Sequence, residues 1–144
     1  MSEEIVLEEI KSDKVGIIPC NGEEICEGTL TRHASRKVLD KLRPGRTVTI
    51  CLPLFIAGDK GERNFAKTFP TITVDGCDKC CSRLATERLS GKPSHSIIVS
   101  EVLKTRGVEV PRSRRTLTEK DQVAVDAVAE EIVNKVDQIL EEDQ

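Results

Sequence analysis

Short β-branched runs alternate along this chain with stretches whose apolar residues recur at helical spacing. Lys14-Val-Gly-Ile-Ile-Pro19 predicts a buried strand stopped by proline, and Cys20-Asn-Gly22 has turn composition. From Gly28 to Leu42, Leu30, Ala34, Val38 and Leu42 recur every four residues, with Arg32, Lys37 and Lys41 on other faces. That spacing predicts an amphipathic helix ended by Pro44-Gly45.

The cycle then repeats. Arg46 to Leu52 predicts a second strand ending at Pro53, and Glu62 to Phe69 a short helix. Thr71-Ile-Thr-Val74 predicts a third strand that runs into Asp75-Gly76-Cys77. Beyond it Cys81, Leu84, Ala85 and Leu89 form one face of a helix ending near Gly91. Ser96 to Ser100 supplies a fourth strand, and Gly107 to Arg115 reads as a loop containing Pro111. Thr118 offers a cap for a long helix to about Leu140, with Ala124, Ala127, Val128, Ile132, Val136 and Ile139 as its apolar stripe.

Alternation of this kind predicts a three-layer α/β fold: a mostly parallel four-stranded sheet with helices on both faces, Rossmann-like or flavodoxin-like. A chain of 144 residues fits one domain. Its expected parts are an acidic N-terminal arm (1–13), a cysteine-bearing α/β core (15–102), a basic loop (103–117) and a C-terminal helix (118–141).

Composition narrows the function classes. The chain is 38% hydrophobic and 33% charged, without an apolar run near the ~18 residues of a membrane span. The acidic start Met-Ser-Glu-Glu lacks the basic and apolar regions of a secretory signal, so a cytoplasmic location is expected. A net charge of -3, with three Phe and neither Tyr nor Trp, offers nucleic acid little charge attraction and few stacking platforms. The local basic stretch of Lys104, Arg106, Arg112, Arg114 and Arg115 reads first as a solvated loop, and second as a docking point for an acidic protein partner. No Ser-His-Asp set, phosphate loop or H-E-x-x-H motif appears.

Six cysteines in a chain expected to face a reducing pool shift weight from disulfides to metal or thiol chemistry. Cys20, Cys51 and Cys77 each fall where a predicted strand hands over to a loop, and parallel strands gather such exits on one edge of the sheet. Cys77-Asp-Lys-Cys80 adds a second thiol one step on, at a helix N-terminus expected to lower thiol pKa. Four thiolates suit tetrahedral Zn²⁺, with Lys79 or Arg83 to offset the surplus charge. Spacing alone leaves three readings open: a metal site, a redox dithiol, or ordinary buried cysteines. Cys81 reads as core filler beside Leu84 and Ala85, and Cys26 as either local packing or a fifth thiol near the cluster. Asp75 suggests turn chemistry, Gly76 a backbone needing room, and His33 and His95 stay outside the expected ligand set because neither marks a strand exit.

Cys20-Asn-Gly, Thr-Ile-Cys51-Leu-Pro and Val-Asp-Gly-Cys77-Asp-Lys-Cys80 followed by an amphipathic helix together resemble the DGC-domain family over roughly Val15 to Val102. The resemblance implies zinc binding by four chelating cysteines, here Cys20, Cys51, Cys77 and Cys80, and assigns no biochemical role. Cys26 and Cys81 are thiols beyond that pattern. The expectation is therefore a zinc-binding module, its site closed or with an open coordination position, serving another protein or a thiol- or metal-dependent pathway. Two alternatives stand beside it: a redox or sulfur-transfer protein using Cys77 or Cys80, with Cys26 or Cys81 resolving, and an iron–sulfur protein.

Overall fold

Val15, Ile17, Ile72 and Val74 are wholly buried on one face of a four-stranded sheet, and the chain folds around them. The structure, a computed structural model, describes residues 13–142, so the expected acidic arm lies outside the described residues except for Asp13. The strands are β1 (Val15–Pro19), β2 (Thr47–Val48), β3 (Thr71–Asp75) and β4 (His95–Ile98), all parallel in the order β2-β1-β3-β4. The predicted fold class holds, and this is the order of the first four strands in flavodoxin-like sheets.

Helices α1 (Cys26–Lys37), α6 (Val99–Arg106) and α7 (Gln122–Glu142) share the core on the face of Val15 and Ile17. Leu30, Ala34 and Val38 project from the α1 side, and all six predicted stripe residues of α7 are buried. Each buried Leu, Ile or Val among them contributes about 1.5–3 kcal/mol. On the other face Phe65 packs so closely on Gly16 that a Cβ there would lie 2.3 Å from its ring. Helix α5 (Cys81–Leu89) covers this face beside β3, and Ser82 Oγ donates to the Ile18 carbonyl at 2.6 Å.

Four predicted elements differ in the structure. The second strand shrinks to Thr47–Val48, because β2 is an edge strand with β1 as its one neighbour, and Leu52-Pro53 opens α2 (Leu52–Ala57) instead of ending a strand. Proline is tolerated in a helix's first turn, where its missing N–H has no partner to lose, and Gly58 then stops the helix in the left-handed conformation. The helix expected over 62–69 is split into α3 (Lys60–Arg63) and α4 (Phe65–Thr68). The fourth strand ends at Ile98, and α6 follows at once with Val99 and Leu103 buried one turn apart, so residues 103–106 of the expected basic loop are helical. Asp121 accepts from both the backbone N–H and the hydroxyl of Thr118, which holds a turn there and delays α7 to Gln122.

No described helix is long and apolar enough to cross a membrane.

Candidate functional site

Between β1 and β3 the chain changes direction across the sheet. β1 leads through α1 to β2 on one side, and β3 leads through α5 to β4 on the other. Crossovers that part in this way leave a crevice at the strands' C-terminal ends, the usual place for ligands in such sheets. Here Cys20 follows the last residue of β1, and Cys77 stands two residues beyond β3. A cavity of about 560 Å³ opens there, walled by Cys20, Cys77, Cys80 and Cys81, with apolar cover from Ile25, Leu52, Ile56 and Ala85. Lys79 is its basic side chain.

Backbone contacts without room for side chains hold this crevice together. A Cβ on Gly28 would stand 1.8 Å from the Gly22 carbonyl oxygen, and one on Gly76 would stand 2.7 Å from the Gly28 nitrogen. The two strand exits thus press on the first turn of α1 through bare backbone. The Gly76 carbonyl also accepts the N–H of Ser100 at 3.2 Å, tying in the start of α6.

Asp75 is buried at the end of β3, where its two oxygens accept the N–H groups of Ser82 (2.6 Å) and Arg83 (3.1 Å). It satisfies the first turn of α5, a cap supplied from the preceding strand. Burial pushes its carboxyl above the ordinary range, while the two N–H groups and Arg83 pull it back.

Thr31, wholly buried on α1, organises the other exit. Its hydroxyl donates to the Gly28 carbonyl at 2.6 Å, accepts the Asn21 N–H at 3.1 Å and lies 3.8 Å from the Cys20 sulfur. Gly22 N–H points at that sulfur from 3.4 Å. N–H and O–H groups around a sulfur fix its direction, as outer-shell partners do for a metal ligand. Among the described residues Asn21 and Cys80 are the two non-glycines with positive φ, at 55° and 54°. A left-handed non-glycine costs about 1–3 kcal/mol and gathers at functional sites.

The expected ligands divide. Cys20, Cys77 and Cys80 line the cavity; Cys51 is exposed at the start of α2 and is not in its wall. The shortened β2 ends three residues before Cys51, whose N–H donates to the Glu62 carboxylate at 2.8 Å. Among the described residues no three His, Cys, Asp or Glu side chains stand close enough to hold a metal ion as the side chains are placed. The crevice does gather four soft thiols, those of Cys20, Cys77, Cys80 and Cys81, with Lys79 in its wall and Arg83 acting on Cys80.

Two further expectations need correction. The helix end does not lower the Cys80 thiol: burial pushes its pKa up, Arg83 opposes this, and Asp75, Asp78 and Cys77 push the same way as burial. Cys81 is no core filler, for it is exposed, and α5 buries Ser82 and Thr86 instead. Cys26, expected either to pack locally or to add a fifth thiol, lines a neighbouring depression with Glu24, Glu27, Arg112, Arg114 and Arg115, which shares Glu24 and Ile25 with the cysteine cavity.

His95 pairs with Ile72 at the entry of β4, and His33 sits beside Arg32 on α1, where burial and that guanidinium lower its pKa. Of the basic stretch, Arg106 pairs with Glu130 and Glu131, and Arg114 donates to the Glu24 carbonyl.

Residues 16–136 match the model of a family described as the DGC domain. The match runs well past Val102 into α7, which the sequence motifs alone did not suggest. No curated protein and no solved structure matches the chain.

Proposed function

The chain belongs to the DGC-domain family, and from that membership together with its thiol-lined crevice we propose that it binds a thiophilic divalent ion, zinc, through the thiolates of Cys20, Cys77 and Cys80. The observation that carries this reading is the meeting of three cysteines from two separate strand exits in the wall of one cavity. Thiolate is the ligating form, and a bound divalent cation lowers the pKa of a coordinating thiol enough to deprotonate it. The ion itself therefore supplies what the helix end fails to supply at Cys80. Cys51 joins this ligand set only if its loop swings inward, since it begins outside the wall.

Elemental analysis of anaerobically purified protein tests the reading. About one zinc per chain, lost when Cys20, Cys77 or Cys80 is changed singly to Ser, is expected. Full thiol reactivity in a metal-free protein contradicts it, and a brown preparation points to an iron–sulfur cluster instead.

A further inference from the structure

Arg112 and Arg115 belong to a turn that local contacts fix in place while leaving these two guanidinium groups unused. The Thr29 hydroxyl, buried on α1, donates to the Arg114 carbonyl at 2.9 Å, and Arg114 Nη1 donates to the Glu24 carbonyl at 2.5 Å. Ser113 Oγ accepts the N–H groups of Arg115 and Thr116, and Pro111 is buried. Among the described residues no hydrogen bond or ion pair engages the side chain of Arg112 or Arg115. The structure also redraws the basic stretch seen in the sequence. Glu130 and Glu131 take up Arg106, Lys104 stands apart on α6, and Arg32 of α1 joins the turn's arginines instead.

Three arginines within four residues repel one another, and carboxylates placed between them relieve that repulsion. The turn borders two open depressions of about 570 and 520 Å³, one with Glu24, Ile25, Cys26 and Glu27, the other with Glu23, Glu24 and Arg32. Glu23 is occupied by Arg32. The other glutamates and the chain's net charge of -3 disfavour a polyanion or an anionic membrane, whereas Ile25, 38% exposed, offers an apolar contact beside the arginines. Arginine next to an exposed apolar side chain is the composition of a protein interface. We propose that this turn docks a segment of a partner protein that carries both acidic and apolar residues, its carboxylates on Arg112 and Arg115 and an apolar side chain on Ile25. Glu24 and Ile25 also belong to the wall of the cysteine cavity, so the docked segment lies at the edge of the thiol crevice. Docking of this kind needs no metal in that crevice.

Fluorescence anisotropy on the full chain tests this, with a fluorescein-labelled peptide of alternating acidic and leucine residues as the probe. Wild type is expected to bind the peptide, more weakly as salt rises, and not to bind the same peptide with lysines in place of the acids. Arg112→Glu combined with Arg115→Glu should lower the affinity by about tenfold or more, and Arg112→Gln with Arg115→Gln should lower it less. Lys104→Glu, away from both depressions, leaves it unchanged. None of these side chains makes the contacts that anchor the turn, and an unchanged far-UV circular dichroism spectrum shows that the fold is kept; if the charge reversal disturbs it, the glutamine pair decides. Bound peptide slows alkylation of Cys26 by iodoacetamide, while Cys51, outside both depressions, reacts as before. Failure to bind the acidic peptide at low salt, equal binding of the lysine peptide, or folded arginine variants that bind as wild type does would each overturn the inference. Capture by phosphatidylserine vesicles in place of the peptide overturns it in favour of a membrane contact.

Discussion

Gly28 and Gly22 meet so closely that a methyl group on Gly28 would lie 1.8 Å from the Gly22 carbonyl oxygen. Oxygen and carbon cannot approach so near, and the obstacle is backbone, which has no rotamer to escape into. Gly28→Ala must push the Cys20-to-Ile25 loop away from α1, and with it the Asn21 N–H from Thr31. Strain and overpacking of this order cost about 1–3 kcal/mol, so a lower Tm is expected together with weakened metal uptake. A variant that melts and binds as wild type does would show that the loop is not held by this contact.

Asp75 tests whether the first letter of the family motif is structural. Asn is the same size, but it replaces one accepting oxygen by an NH₂ group that would face the N–H of Ser82 or Arg83. Leaving one such N–H unpaired costs about 1–3 kcal/mol, so Asp75→Asn should unfold at correspondingly lower denaturant concentration. An unchanged midpoint contradicts the capping role.

Arg43 holds Asp137 in a two-pronged pair, Nε to Oδ1 at 2.8 Å and Nη2 to Oδ2 at 2.7 Å, fastening the end of the α1 segment to α7. The guanidinium pushes the Asp137 carboxyl below the usual range. A lowered carboxyl favours the folded state above its ordinary pKa, and that gain disappears as the pH falls through the lowered value. Both groups are about a third or more exposed, so the pair contributes no more than about 1 kcal/mol at neutral pH, and less in high salt. Asp137→Asn should therefore narrow its stability deficit as the pH drops below about 4. A deficit independent of pH would mean that the loss is one of packing.

The strand exits were legible because three β-branched runs each end in a proline, a turn or a glycine, and parallel topology carries such exits to one edge. That Cys51 stands beyond the strand's end and not at it has a local cause. Thr-Val-Thr-Ile has strand composition, but an edge strand with one neighbour stops pairing after Val48, and a helix begins at Leu52. Cys81 was misread because i, i+3, i+4 spacing identifies a helix face without saying whether sheet or cavity lies opposite. The sheet side of α5 is polar, served by the Ser82 bond to Ile18, which hydrophobic periodicity does not register. Thr31 carries the least sequence signal: a threonine mid-helix gives no hint that its hydroxyl anchors a loop ten residues back. Helix α6 was hidden because Ile97, Ile98 and Val99 read as one strand, though the chain turns helical after Ile98.

Zinc-edge X-ray absorption on anaerobically purified protein tests the central claim most directly, because it reads the atoms around the metal without substituting any of them. The account predicts a first shell dominated by sulfur at about 2.3 Å. A shell dominated by nitrogen or oxygen at about 2.0–2.1 Å, or protein that carries no zinc, would contradict it.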